Sequence, residues 1–267
     1  MEAVLVKLGG SLITEKTRPE TPRLEVIRRL ASEVARAAGR VPERLIVGHG
    51  SGSFGHVAAA RYGLAAGLRS PDQLPGVAET QQRAADLHRI VAAELRAAGA
   101  LPFSLAPSSA LVAADGAAAS FAEEPLLLAL GRGLLPVLWG DVVLDRGQGV
   151  AICSTERLFA LLAGLLPARG IAVRRILWLG ETAGVYDGSG RTIPRITASD
   201  PAAAAAVRAV IGAPAGTDVT GGMLHRVETA LALAAQGITS SILDGREPGL
   251  LERALAGEEV PGTVIGI

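Results

Sequence analysis

Short apolar runs that end in glycine-rich turns and lead into helix-like segments recur along this chain, and that alternation restricts the fold to a mainly parallel α/β sheet. Strand-like runs occur at Val4–Leu8, Arg44–Val47, Leu134–Leu138, Arg175–Leu179 and Ser240–Leu243. Between them lie alanine-rich stretches with helical periodicity, clearest at Glu25–Ala38, Glu79–Ala98, Thr155–Leu166, Ala202–Ile211 and Met223–Gln236. Parallel neighbours need a crossover connection, most often a helix, so the alternation predicts βαβ units. Gly39, Gly99 and Gly237 stand where helix C-caps are expected. Val142–Leu144 and Val150–Ile152, joined by Asp145–Gly149, predict an antiparallel hairpin. A soft boundary near residue 170 divides a single domain, 1–267, into an N-terminal lobe 1–170 and a C-terminal lobe 171–267.

Two of the strand exits are chemically pointed. Gly48-His49-Gly50-Ser51-Gly52-Ser53-Phe54-Gly55-His56 follows Leu45-Ile46-Val47, and Lys7-Leu8-Gly9-Gly10-Ser11 follows Ala3–Val6. Small residues at a strand's carboxyl end let backbone N–H groups approach phosphate oxygens. Two such turns predict two phosphate groups, with the Lys7 ammonium between them to offset charge as a phosphoryl group moves. An imidazole at position 56 adds a directed hydrogen bond or a positive charge.

Composition removes several classes of function. The chain has 267 residues, 49% hydrophobic, with formal net charge +0, so it can bury a substantial core yet carries no general field for nucleic acid or an anionic membrane. Recognition of a charged ligand has to be local. The single cysteine, Cys153, excludes an intrachain disulfide and a multi-cysteine metal site, and reads as a small buried residue. Lys7 and the glycines after it interrupt any signal-peptide core, and no run approaches the ~18 apolar residues of a membrane span. A soluble, cytoplasmic protein is expected.

Gly50-x-Gly52-x-x-Gly55 satisfies the dinucleotide fingerprint in form. It lies at the second βα turn, not the first, and lacks an acidic strand end about 20 residues on. A P-loop string of Gly-x-x-x-x-Gly-Lys followed by Ser or Thr does not occur, so lysines for a nucleotide must come from elsewhere. Thr217–Arg226 supplies a third glycine turn, with Thr220 as a candidate N-cap, Gly221 and Gly222 at the helix start, and Arg226 about one turn in. Glu181–Asp187, after the strand ending at Leu179-Gly180, carries Tyr186 at a strand's carboxyl end and suits an adenine or ribose pocket.

Lys7-Leu-Gly-Gly-Ser11, His49-Gly-Ser-Gly-Ser-Phe-Gly-His56, Gly140-Asp141-Val142, Gly184-Val-Tyr-Asp187 and Asp218-Val-Thr-Gly-Gly-Met223, in this order along almost the whole chain, resemble the amino acid kinase superfamily and, within it, the isopentenyl phosphate kinase family. The resemblance implies a three-layer αβα sandwich and transfer of the ATP γ-phosphoryl group to isopentenyl phosphate by direct in-line displacement, giving isopentenyl diphosphate for isoprenoid biosynthesis. It implies that Lys7, Lys16 and His56 are catalytic. Gly50, Ser51, Gly52, Gly55, His56, Gly140 and Asp141 would bind the acceptor. Lys7, Gly9, Gly10, Ser11, Glu156, Gly180, Thr182, Tyr186, Asp187, Gly221, Gly222, Met223 and Arg226 would surround the nucleotide. ATP with Mg2+ held mostly by phosphate oxygens and water is implied, with no protein metal site, as is a homodimer.

A phosphate monoester is already a competent nucleophile near neutral pH, so positioning and charge neutralisation suffice and His56 is read as a hydrogen-bonding ligand, not a proton abstractor. His49 is read as architectural, and His88 and His225 as surface residues. Three positions depart from the family pattern. Arg226 stands where a lysine is usual, Ser154-Thr155-Glu156 replaces a Ser-Gly-Asp segment so that Glu156 would organise the lysine, and Ser51 replaces a frequent glycine. His56–Tyr62 is expected as a short helix and Leu64–Pro75 as a loop, with Ala58, Ala59 and Ala60 leaving room for an apolar tail. Two rivals remain open at this point: a phosphonate kinase of the fosfomycin type with the same fold, and a non-catalytic nucleotide- or oxoanion-binding protein.

Overall fold

Ala3-Val4-Leu5-Val6 is apolar at every position, as a strand covered on both faces requires. A computed structural model of the chain describes residues 1–197, 199 and 222–267, and this run lies in its first strand, β1 (Glu2–Leu8). Ala3 and Leu5 face one core, and Val4, Val6 and Leu8 face another. The period of two thus divides the strand between two hydrophobic layers.

After β1 comes a single helical turn, α1 (Gly10–Ile13), then α2 (Leu24–Ala38), β2 (Arg44–His49), α3 (Gly52–Arg61) and the long α4 (Leu74–Ala97). Next are β3 (Pro102–Ser104), α5 (Pro107–Ala110), β4 (Leu111–Ala114), β5 (Ala117–Phe121), α6 (Glu124–Gly131), β6 (Leu135–Trp139), β7 (Asp141–Asp145) and β8 (Gly149–Cys153). The chain continues through α7 (Thr155–Leu165), β9 (Ala172–Gly180), β10 (Arg195–Thr197), α8 (Gly222–Ala234), β11 (Thr239–Asp244), α9 (Leu250–Leu255) and β12 (Thr263–Gly266). The predicted helix Ala202–Ile211 and the turn from Thr217 to Gly221 lie outside the described residues.

Among the described residues the main sheet has eight strands in the order β10-β12-β11-β9-β1-β2-β6-β3. The pairs from β11 to β3 are all parallel, and β12 turns antiparallel against β11. Helices α2, α4 and α9 cover the face with Val4, Val6 and Leu8, and α6, α7 and α8 cover the other. This is the expected three-layer αβα sandwich. α2 packs Ile27, Leu30 and Val34 inward, each contributing on the order of 1.5–3 kcal/mol of burial. β1 and β2 pair in register from Ala3↔Arg44 to Leu8↔His49, so the two glycine turns leave the sheet side by side.

The predicted hairpin is β7 and β8, paired antiparallel from Asp141↔Cys153 to Asp145↔Gly149. It belongs to a second, four-stranded sheet in the order β5-β4-β7-β8. Asp145 fastens that sheet's turns together, its carboxylate accepting the N–H groups of Asp115, Gly116, Gly147 and Gln148. The expected loop Leu64–Pro75 contains two 3₁₀ turns, and α4 already begins at Leu74. Gly99 and Gly237 are left-handed at helix ends, with φ of 94° and 79°. Gly39 ends α2 in right-handed conformation with φ of −89°. Among the described residues no helix is long and apolar enough to cross a membrane.

Candidate active site

The turn after β1 and the turn after β2 touch through their backbones. A β-carbon on Gly10 would lie 2.7 Å from the Gly52 nitrogen, and one on Gly50 would lie 2.7 Å from the Gly10 nitrogen. Gly52 has φ of 49°, which favours a residue without Cβ. Main-chain bonds hold the pair to the sheet: Gly9 N–H donates to Leu179 C=O at 2.9 Å and Gly50 N–H to Leu8 C=O at 3.0 Å. Thr14 ties them laterally, its hydroxyl donating to Gly10 C=O at 2.8 Å and accepting Ser53 N–H at 3.0 Å.

These turns form the floor of a cleft of about 620 Å³. The N-termini of α3, α7 and α8 all reach its lining, at Gly52, Thr155 and Met223. Each brings the positive end of a helix dipole to the cleft. The cleft as a whole therefore suits a polyanion.

Lys7, next to last in β1, is buried at the cleft floor. It sits in register between Gly48 and Trp178. A β-carbon on Gly48 would strike Thr155 and Phe159, so glycine there lets α7 approach and bring Glu156 to the Lys7 ammonium. The two form a buried ion pair. Burial, opposed by Glu156 and reinforced by Arg226, brings the Lys7 pKa down to about 8. Burial works against the Glu156 carboxylate, but the Lys7 charge and hydrogen bond, with Arg226, hold it ionised with a pKa of about 2. Arg226 comes from the first turn of α8, close enough to Gly180 that a β-carbon there would lie 3.2 Å from its Nη1.

His56 lies in α3 with its ring open to the cleft. Crowding by surrounding protein pushes its pKa below the ordinary value, Lys7 adds to that, and Glu156 opposes it. The free imidazole is therefore neutral near pH 7. Asp141 starts β7 at the cleft wall, accepting N–H groups from Val142 at 2.9 Å and Ser108 at 3.3 Å. Burial raises its pKa to about 6 against those hydrogen bonds. Lys16 stands exposed at the rim, 3.1 Å from Glu181, which also accepts from Arg23 at 2.6 Å.

Of the predicted residues, Lys7, Gly10, Ser11, Lys16, Gly50, Ser51, Gly52, Gly55, His56, Gly140, Asp141, Glu156, Gly180, Thr182, Met223 and Arg226 line this one cleft. Gly9 does not line it; it precedes Gly10 in the same turn, its N–H held by Leu179 C=O. Gly222 opens α8, and Gly221 lies outside the described residues. Tyr186 and Asp187 do not line the cleft: the Tyr186 hydroxyl accepts Ala183 N–H at 3.1 Å, and Asp187 organises its own turn through Ser189 and Arg191.

Two histidines differ from expectation. His88 is buried, not at the surface, because α4 turns it inward against Trp139 with ring centroids 3.8 Å apart. His225 is half-buried and lines the cleft beside Arg226. His49 is architectural as expected, fully buried beneath its own loop. Cys153 is buried and its thiol is pushed up to about 12 by burial. The sequence reading passes over Thr14 and gives Glu181 and Thr155, named within their turns, no role of their own; a hydroxyl three residues after Ser11 and an acid directly after a strand-end glycine are the available signals.

The chain belongs to the amino acid kinase family, whose model matches residues 2–244. Among its relatives are isopentenyl phosphate kinases. It is 34% identical to that of Methanothermobacter thermautotrophicus over 274 residues, covering 98% of each protein. It is 35% identical to that of Haloferax volcanii, covering 99% of each. A solved isopentenyl phosphate kinase structure superposes with a TM-score of 0.81 at 29% identity, covering 98% of this chain and 100% of the other.

Proposed function

We propose that this protein transfers the γ-phosphoryl group of ATP to isopentenyl phosphate, forming isopentenyl diphosphate and ADP. The observation that carries this reading is Lys7, a buried cation on the cleft floor between two backbone-packed glycine turns, paired with Glu156 and flanked by Arg226. An acceptor phosphate oxygen attacks the γ-phosphorus while the bond to the β-phosphate oxygen breaks. Lys7 neutralises charge on the group in transit, and Glu156 fixes the ammonium in place. The Gly50–Gly55 turn and His56 hold the acceptor phosphate, with Gly140 and Asp141 closing its side. Gly9–Ser11, Gly180, Thr182 and the α8 end with Met223 and Arg226 hold the nucleotide, and Lys16 leaves Glu181 to reach its phosphates. The N-terminal lobe 1–170 thus supplies the acceptor site, and 171–267 the nucleotide site together with Gly9–Ser11 and Lys16 from the first lobe.

The donor set fits a metal carried by the nucleotide. Mg2+ would arrive with the nucleotide, held mostly by phosphate oxygens and water, and would supply charge neutralisation. The same reading makes the protein a cytoplasmic homodimer, the second point checked by light scattering.

Beyond His56 the cleft is walled by Val57, Ala59, Ala84 and Ile152, which suits an apolar tail. A phosphonate acceptor has one observation in its favour: the buried hydroxyls of Ser53 and Thr80, on the same wall, have no hydrogen-bond partner. ADP release from Mg-ATP with isopentenyl phosphate, dimethylallyl phosphate and fosfomycin decides between them. Turnover with the prenyl phosphates and not with fosfomycin is expected; turnover with fosfomycin alone would replace the isoprenoid reading.

A further inference from the structure

Beneath the Gly50–Gly55 turn runs a chain of side-chain hydrogen bonds that the proposed chemistry leaves unused. His49 Nδ1 lies 3.1 Å from Gly50 O, His49 Nε2 lies 3.2 Å from His88 Nδ1, and His88 Nε2 lies 2.6 Å from Ser104 Oγ. The three rings of His49, His88 and Trp139 stack nearly parallel, with 6° between the histidines and 16° between His88 and Trp139. Both imidazoles are buried. Burial lowers the pKa of His49 to about 4 and of His88 to about 3, the neighbouring His49 contributing to the latter.

The direction of every bond in the chain follows from one end. A carbonyl oxygen only accepts, so His49 Nδ1 carries hydrogen and donates to Gly50. A neutral His49 then has a lone pair on Nε2, which accepts from His88 Nδ1–H. His88 Nε2 is left to accept the Ser104 hydroxyl. A proton added to His49 would set its Nε2–H against His88 Nδ1–H at 3.2 Å, whereas one added to His88 would fall on Nε2 against the Ser104 hydroxyl; burial with no counter-charge keeps both rings neutral.

We propose that His49 and His88 are positioning residues that fix the Gly50–Ser51 peptide plane for acceptor phosphate binding; this rests on the assignment of that turn to the acceptor. In a trans peptide the C=O and the following N–H point in opposite directions. Holding Gly50 C=O against His49 therefore turns Ser51 N–H away from the histidines. Gly140 packs on that nitrogen, where a β-carbon would lie 3.5 Å away, and both residues line the cleft. Elsewhere His49 is already anchored, its own C=O accepting Gly140 N–H at 2.9 Å and the Thr155 hydroxyl at 2.7 Å. The imidazole chain sets the next peptide, and a peptide free to rotate would present a carbonyl dipole to the phosphate in place of a donor.

The test has two parts. Nitrogen-15 spectra of the wild-type protein should find both His49 and His88 as the Nδ1–H tautomer, the less common form; an Nε2–H tautomer at either ring overturns the chain. In kinetics, His88→Leu should raise the KM for isopentenyl phosphate about tenfold with the KM for ATP unchanged, whereas His88→Asn, whose amide can donate in place of Nδ1–H, should stay within about threefold of wild type. Equal changes in both KM values, or no change, overturn the positioning role. If wild-type protein fails to turn over isopentenyl phosphate, the functional reading falls separately, and inorganic phosphate decides the chain. Weaker phosphate binding by His88→Leu than by wild type sustains it, and equal binding overturns it.

Discussion

Lys7 is a cation kept in the interior by one carboxylate, and its usefulness depends on pH. With a pKa of about 8 in the free protein, it carries its charge below that value and loses it as pH rises through it. Acceptor kcat/KM, which reports the free enzyme, should therefore fall with an apparent pKa near 8. Bound phosphates favour the ammonium, so kcat should hold to higher pH, and steady-state profiles from pH 6 to 10 check both limbs. Glu156→Gln removes the group that raises the Lys7 pKa and should move the kcat/KM limb down by about one unit or more, with Glu156→Asp recovering part of it. A limb unmoved in Glu156→Gln would show that the ion pair does not govern the lysine. His56 behaves in the opposite sense, being neutral when free and charged when a phosphate dianion arrives. Acceptor binding near pH 7 should take up a proton, measurable as a buffer-dependent enthalpy in calorimetry, and that uptake should vanish in His56→Ala.

At the scale of elements, the close approach of two turns ranks above any single side chain. Gly10→Ala places a methyl group against the Gly52 backbone, where nothing flexible can yield. The substitution should cost about 1–3 kcal/mol of stability and weaken nucleotide and acceptor together, as thermal melts and equilibrium binding would register. Glu33 provides a contrast. Fully buried in α2, it accepts the N–H groups of Gly249, Leu251 and Glu252 at the start of α9 and pairs with Arg29. Glu33→Gln should cost about 1.5–3 kcal/mol in chemical denaturation and leave turnover at low denaturant unchanged.

The elements that the sequence announces are those whose apolar pattern matches their burial. β1, β2, β6, β9 and β11 are short apolar runs between helical periods, and their observed bounds fall within three residues of expectation at either end. The second sheet is different. β5 is Ala117-Ala-Ala-Ser-Phe121, exposed along most of its length, and alanine in a chain this rich in alanine carries no strand preference. His88 was hidden for a related reason: it occupies one position in a long amphipathic helix, and only the packing of α4 on the main sheet brings it to His49 and Trp139. Lys7, Glu156, His56 and the glycines of both turns were legible because their chemistry sits in contiguous motifs at strand ends. The Glu181 bridge to Lys16 and Arg23 joins two segments far apart in the chain, so its partners have no local signature even though the acid itself follows a strand-end glycine.

Across the whole molecule, one continuous sheet carries both halves of the cleft, with β1 at its centre between β9 and β2. The two ligands should leave separate footprints on it. Amide hydrogen exchange should slow at 180–182 and the start of α8 with Mg-ATP alone, and at 51–56 with isopentenyl phosphate alone. Footprints on the opposite halves would reverse the assignment of lobes to ligands. The central claim, that phosphate is joined to phosphate here, is tested most directly by phosphorus-31 spectroscopy of purified protein with Mg-ATP and isopentenyl phosphate. The account predicts that the monophosphate signal is replaced by the coupled pair of a diphosphate, one for each ADP formed, and that His56→Ala slows this strongly. ADP accompanied only by inorganic phosphate, or a monophosphate signal that persists while ATP remains intact, would contradict it.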